Sequence, residues 1–299
     1  MFLFYFSLFL SAFLLTYSLF IPSKSIALMV GAIDYPNERK SHSTPTARLG
    51  GLSFFLSFSV LLLILPIDRS IKLPLLLGGG AMFTVGFLDD FIKLSPLAKL
   101  IGEFIAASIY ILLSSRLSGG FSIIIGVAML AWIIFITNAI NLIDGLDMLA
   151  AGISAGQAIC LFVIALAFGN YGIGLCLAVL FFAVLGFLPR NVPNAKIFMG
   201  DCGALFLGFI LAALSSRLVF ESANVLCLLA VLLIFRLPTA DTSQSFTRRL
   251  VKKKNPFLAD RGHFHHLLIK FGFSKDCAAL ALITVSLVFG FLGILMVSI

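Results

Sequence analysis

Charge is scarce in this chain. Only 11% of its residues are Asp, Glu, Lys or Arg, whereas 61% are hydrophobic and the mean hydropathy is +1.13. A soluble 299-residue domain could not keep that much apolar surface from water, so a water-soluble fold is excluded and an integral membrane protein is implied. Cysteine is also sparse. Cys160, Cys176, Cys202, Cys227 and Cys277 stand singly in apolar stretches without C-x-x-C spacing, which argues against disulfides and zinc ribbons and for small core residues. The first apolar run lacks a basic leader and a small-residue cleavage site, and its first cation, Lys24, follows it, so it is expected to remain as a membrane span rather than be removed as a signal peptide. The 32 Phe need no cofactor to explain them, because lipid-facing surfaces and helix packing absorb them.

What the chain has in abundance is long hydrophobic runs. Ten are predicted as spanning helices, near 2–21, 47–66, 73–90, 97–115, 120–137, 147–168, 171–189, 202–219, 222–238 and 277–298. At about 1.5 Å per residue such runs cross a hydrocarbon core of about 30 Å. The expected fold is therefore all-α and polytopic, one domain over residues 1–299. The loops then alternate sides. Loops after odd-numbered spans hold 17 of the 21 cations, and the opposite loops hold only Arg69, Lys72, Arg116 and Arg217. The positive-inside rule makes the rich side cytoplasmic, with loops near 22–46, 138–147, 190–201 and 239–276, and puts both termini outside. All of the 13 acids except Asp68, Glu103 and Glu221 join the cytoplasmic set. Orientation requires only the cations, so carboxylates gathered at one membrane edge ask for a site.

The strongest string is Asn138-Ala-Ile-Asn141-Leu-Ile-Asp144-Gly-Leu-Asp147 at the junction of the fifth and sixth spans. Spacings of three place its four polar residues along one drifting helical stripe, and Gly145 permits a break. Helix capping would explain one of them, but four in register fit oxygen ligands around a bound polar object. Asp89-Asp90 ends the third span. Adjacent carboxylates repel unless a cation or proton intervenes, which suits a divalent metal, a general base or both; the plainer reading is an interfacial pair matched by Lys93 and Lys99. Phe198-Met199-Gly200-Asp201 sets a carboxylate at a helix N-terminus, stable there even without function. The segment near 239–276 carries Arg261, His263, His265 and His266, a density of cations and imidazoles that fits phosphate recognition. Zinc competes for the histidines but lacks an HExxH or C-x-x-C partner set. Lys252 to Lys254 are better matched to anionic lipid. The first loop adds Arg39, Lys40 and His42.

Together these strings resemble the polyprenyl-phosphate N-acetylhexosamine-1-phosphate transferase family. The resemblance runs from Asp34 to His266. The D-x-P-N-x-R-K-x-H loop ending at His42 and the closing A-D-R-x-H-x-H-H ending at His266 are most similar to its WecA/TagO branch. Ala204 and Met148 depart from the small hydroxyl residue and the Gly that relatives often carry at those positions.

The resemblance implies that the phosphate of undecaprenyl phosphate attacks the β-phosphate of UDP-GlcNAc, giving a lipid-linked diphosphosugar and UMP at the bacterial inner membrane. Another UDP-N-acetylhexosamine or UDP-MurNAc-pentapeptide is the alternative donor. By motif position, Asp201 and Asn141 are the expected ligands of Mg²⁺, with Mn²⁺ as substitute, and Asp89, Asp90 and Asp201 form the catalytic set. Asp89 and Asp90 would orient or deprotonate the lipid phosphate. Lys93 would contact phosphate, Asn138, Asp144 and Asp147 would position nucleotide or sugar, and Phe198 would stack on uracil. Arg39, Lys40, His42, Arg261, His263, His265 and His266 complete the substrate set. Direct attack and a phospho-aspartate relay both remain open, with direct attack favoured because a phosphate monoester needs little activation. A homodimer is implied and no nucleic acid is. The rival from another class is a proton-coupled carrier, but its binding groups would sit near the midplane on broken, repeated helices.

Overall fold

The computed structural model describes residues 2–35, 45–192, 195–251 and 262–298. Thirteen helices follow one another among them: α1 (Phe2–Ser18), α2 (Phe20–Val30), α3 (Gly51–Ile64), α4 (Arg69–Ile92), α5 (Pro96–Leu117), α6 (Ile123–Ile143), α7 (Leu149–Ala167), α8 (Tyr171–Asn191), α9 (Gly200–Ser222), α10 (Val225–Ile234), α11 (Arg236–Val251), α12 (Phe264–Lys270) and α13 (Lys275–Ser298). Two short strands, β1 (Ile33–Asp34) and β2 (Thr46–Ala47), pair antiparallel, so the chain is nearly rather than wholly helical.

Among the described residues eight helices are long and apolar enough to cross a membrane, and nine if the bent pair α10–α11 is counted as one span. The first candidate span continues through α2 to Val30, so the loop expected from residue 22 begins after that helix. The run expected over 47–66 forms a helix of 14 residues, about 21 Å long at 1.5 Å per residue. The polar segment near 239–276, expected as a loop, is helical over part of α11 and in α12. Multiple apolar helices of this kind make the chain a multi-pass membrane protein.

Local signals explain the boundaries. Asp68, Ser95, Ser122 and Asn224 cap α4, α5, α6 and α10 through side-chain oxygens that accept backbone N–H groups, and Pro96 takes the first position of α5 where no donor is needed. The 66° bend between α10 and α11 has a similar origin. Pro238 brings no N–H to the carbonyl four residues before it, that of Ile234, and its ring crowds that carbonyl. Gln157 of α7 donates from Nε2 to the freed Ile234 oxygen at 3.3 Å, which keeps the break satisfied inside the bundle.

α9 forms the centre. It packs on α4 and α6 and is buried nearly all round, which its small and apolar residues permit, while α1 and α13 keep broad apolar faces for lipid. Phe206 of α9 gathers Phe54, Phe55 and Phe58 of α3 edge-on or tilted, as expected of packing aromatics. All five cysteines are free and four are buried.

Candidate active site

Helix ends from α4, α5, α6 and α9 meet at one end of the bundle. The α4–α9 contact is close because Gly86 has no side chain: a methyl group there would lie 2.5 Å from both the Asp201 carbonyl oxygen and the Cys202 Cα. Gly200, at φ +75°, starts α9 in a conformation that a Cβ would disfavour, and it lays the helix N-terminus against α4. Asp90 seals the junction. Its buried carboxylate accepts from the backbone N–H of Asp201 and of Cys202, each at 2.9 Å.

Asp89 faces the other way, into a polar cluster. Lys99 Nζ lies 2.9 Å from Asp89 Oδ2, 2.8 Å from Asp201 Oδ2 and 3.3 Å from Asn141 Oδ1. Asn141 Nδ2 also donates to Asp201 Oδ1 at 3.3 Å. The guanidinium of Arg48 approaches the same carboxylates, at 3.6 Å from Asp90 and 3.8 Å from Asp201, and reaches Asp34 at 4.0 Å. Two cations thus balance three carboxylates of the cluster at the mouth of the bundle. Lys93, expected to serve phosphate, is exposed at the left-handed C-terminus of α4, and it is Lys99 that joins the carboxylates.

Asn138 lies one turn before Asn141 but points its amide elsewhere. Its Nδ2 donates to Glu103 Oε2 and to the Ile134 carbonyl. Glu103 is fully buried on α5, one turn past Lys99, and its Oε1 has no hydrogen-bond partner among the described residues. Glu103, which falls outside the cytoplasmic set of acids by loop position, sits beside the cluster through its contact with Asn138. Asp144 follows the end of α6. Burial first, then the carboxylates of Asp201, Asp90 and Asp147 acting against Arg48, pushes its carboxyl up to about 8. Asp147 accepts from the Ala195 N–H at 3.0 Å and so holds the loop that leads to α9. Asn191 fastens the same loop, donating to the Ile197 carbonyl and accepting from the Met148 N–H at 2.6 Å. Phe198 bonds through its backbone on both sides, donating to Ala47 and accepting from Gly50, which ties the loop to the start of α3.

The histidine segment closes over this end. His265 is buried with its ring against Gly145 of the Asp144-Gly145 turn, and its ring centroid is 4.1 Å from that of His266 and 5.9 Å from that of His263. Burial and the neighbouring imidazoles lower its pKa to about 4, so it is neutral at physiological pH. His263 Nδ1 is 2.7 Å from Asp241 Oδ2. Arg39, Lys40, His42 and Arg261 lie outside the described residues.

Sequence reasoning named Asp89, Asp90, Asn141 and Asp201, offered Lys99 only as the plain ionic match of the Asp89-Asp90 pair, and missed the parts played by Arg48, Glu103, Asn191 and Asp241. Glu103 had a readable signal, a lone carboxylate inside an apolar run. The oxygens of Asp89, Asp201 and Asn141, lying 2.8 to 3.3 Å around a single cation, are the hard donors that a divalent ion takes, so Mg²⁺ suits this set when diphosphate and water complete the shell. Among the described residues no three His, Cys, Asp or Glu are arranged to hold a metal by themselves.

Residues 73–219 match the family described as Glycosyl transferase family 4. A probable undecaprenyl-phosphate N-acetylglucosaminyl 1-phosphate transferase of Bacillus subtilis is 33% identical over 287 residues, which is 92% of this chain and 80% of that protein. The decaprenyl-phosphate N-acetylglucosaminephosphotransferase of Mycobacterium tuberculosis is 34% identical over 305 residues, 89% of this chain and 76% of the relative. The chain belongs to glycosyl transferase family 4. A phospho-N-acetylmuramoyl-pentapeptide-transferase of Staphylococcus saprophyticus is similar as well, 33% identical over 282 residues, 85% of each chain. This family-4 protein is a transferase, and the carrier reading has no support among its relatives.

Proposed function

We propose that the protein transfers N-acetylglucosamine 1-phosphate from UDP-GlcNAc to undecaprenyl phosphate, releasing UMP, at the cytoplasmic face of the bacterial inner membrane. In this reading the whole chain is one catalytic domain, with ten crossings and both termini external. The observation that carries it is the convergence of Asp89, Asp201 and Asn141 on Lys99 at the ends of apolar helices. One reactant arrives from lipid and the other from water, and a site at the membrane edge receives both. The names of the relatives above support the amino sugar and the polyprenyl phosphate.

Phosphoryl transfer asks for charge neutralisation and alignment more than for covalent chemistry. Asp201 and Asn141 would hold Mg²⁺, which when bound draws charge from the diphosphate. Lys99 and Arg48 neutralise the nucleophile and the departing UMP. Asp90 is fixed as a helix cap with its side chain without exposure, whereas Asp89, which accepts from the Leu94 N–H and from Lys99, keeps 13% exposure, so Asp89 is the carboxylate placed to orient or deprotonate the lipid phosphate. Direct attack is the favoured route because a phosphate monoester needs little activation. His263, His265, His266 and Arg261 would cover sugar and diphosphate, and Asp144 would face the nucleotide.

Purified protein with undecaprenyl phosphate and Mg²⁺ should release UMP from UDP-GlcNAc, and Asp201→Asn should abolish release while remaining folded. Full activity of that variant would sink the metal assignment. Failure with every member of a UDP-sugar panel would sink the enzyme reading. The similarity to the muramoyl-pentapeptide transferase makes UDP-MurNAc-pentapeptide the second donor to test.

A further inference from the structure

Asp241 belongs to none of the motifs that define the candidate site, yet it is nearly inaccessible, with 1% of its surface exposed, on the polar helix α11. Both of its oxygens serve adjacent residues of the histidine segment. Oδ2 lies 2.7 Å from His263 Nδ1, and Oδ1 accepts the Phe264 N–H at 2.7 Å. His263 stands at the N-cap of α12 in extended geometry, and the paired grip on it and on the next residue sets where that helix begins. A carboxylate only accepts, so the ring nitrogen facing it carries the hydrogen.

We propose that Asp241 is a positioning residue that holds His263 in its Nδ1–H form and aims Nε2 at the substrate diphosphate. The destination of Nε2 rests on the transferase reading above; the tautomer does not. With Nδ1–H bound to Asp241, Nε2 is the ring nitrogen left to meet the substrate, and Asp241 balances from behind any positive charge the ring carries. Without that partner the neutral ring is free to exchange its proton between nitrogens and to rotate. Carboxylates behind metal-bound imidazoles change affinity or activity by about 10- to 100-fold when removed, and the lower end of that range is the scale expected of this pair.

Asp241→Asn is the informative variant. Its amide oxygen can keep the Phe264 N–H, which turns the amide NH₂ toward His263 Nδ1 and forces the ring into the opposite tautomer. The experiment is ¹⁵N labelling of the four histidines with ring-nitrogen NMR, assigned through His263→Ala, combined with steady-state UMP release. Expected are an Nδ1–H signature for His263 in the wild type, its replacement by Nε2–H in Asp241→Asn, a fall in kcat/KM of about 10-fold or more, and no additional loss when Asp241→Asn is placed on His263→Ala. An Nε2–H tautomer in the wild type would overturn the proposal whether or not the variant folds. So would equal losses from Asp241→Asn with and without His263, the outcome of a merely structural role. Absence of turnover with every UDP-sugar would remove the enzyme reading and leave the tautomer result standing.

Discussion

Asp90→Ala should destabilise this protein far more than Asp89→Ala, although the two carboxylates are neighbours in sequence. The Asp90 side chain has no exposure and accepts two backbone N–H groups, from Asp201 and Cys202, at 2.9 Å. A hydrogen bond to a charged acceptor contributes about 1.5–3 kcal/mol, and a buried donor left without a partner carries its full desolvation penalty. Losing both would cost about 3–6 kcal/mol, and relief of the carboxylate's own desolvation makes about 3 kcal/mol the working figure. Asp90→Asn retains one acceptor and should lose about half as much. Asp89 accepts from the Leu94 N–H at 2.7 Å and from Lys99, but its side chain is 13% exposed and water can take its place, so about 1 kcal/mol is expected. The assay is thermal unfolding in detergent with a thiol-reactive dye, since four buried cysteines become reactive only on opening. At about 2 °C per kcal/mol, Asp90→Ala should melt about 6 °C below the wild type. UMP release below both melting points separates the roles further: Asp89→Ala should be folded and inactive. Equal melting points for the two alanine variants would refute the capping argument, and so would a wild-type melting point for Asp90→Ala.

Gly86→Ala should push α4 from α9, because its methyl would meet backbone atoms of Asp201 and Cys202 that have no rotamer with which to yield; a loss of about 1–3 kcal/mol in melts and a displaced Asp201 with reduced UMP release are expected. Lys99→Met leaves the oxygens of Asp89 and Asp201 facing one another without the cation between them. Its kcat/KM should fall by about 100-fold, and Mg²⁺ should raise its melting point more than that of the wild type; an unchanged kcat/KM would exclude Lys99 from the site. For Asp144, the folded value of about 8 lies above that of an unfolded aspartate, so the native state keeps the proton longer and stability falls as pH rises from about 4 to about 8. Asp144→Asn should therefore melt with the wild type near pH 4 and above it at pH 8, and a parallel pair of melting curves across that range would contradict the assignment.

Run length and hydropathy made the membrane class and most helices legible, because the penalty for exposing backbone in lipid leaves long apolar segments few alternatives to helix. Boundaries were less legible where they depend on a partner distant in sequence. The run near 222–238 reads as one span by hydropathy, but Pro238 breaks it and Gln157 of another helix donates to the carbonyl that the break frees. In the same way Gly86 reads as one small residue among several in α4 until the α9 backbone is seen against it.

The site divides along a related line. Asp89, Asn141 and Asp201 were found because each ends or begins an apolar run, where a polar residue is conspicuous. Loop residues at such places nevertheless have competing explanations in capping, water and the positive-inside rule, and Asp90 and Asp147 indeed engage backbone N–H groups. Lys99 shares the positive-inside explanation, but Glu103 and Asp241 have few of these explanations. Each is held inside a helix by other side chains or by backbone from distant segments, and Glu103 and Asp241 are almost wholly buried. A solvated loop charge can be retained for orientation alone, whereas an ionisable group kept within a helix and out of water must be offset by a specific partner. The isolated charge within an apolar or tightly packed helix is thus the stronger pointer to the site, and following it from Lys99 to Glu103 to Asn138 traces the polar cluster across α5 and α6 more directly than the motif strings do.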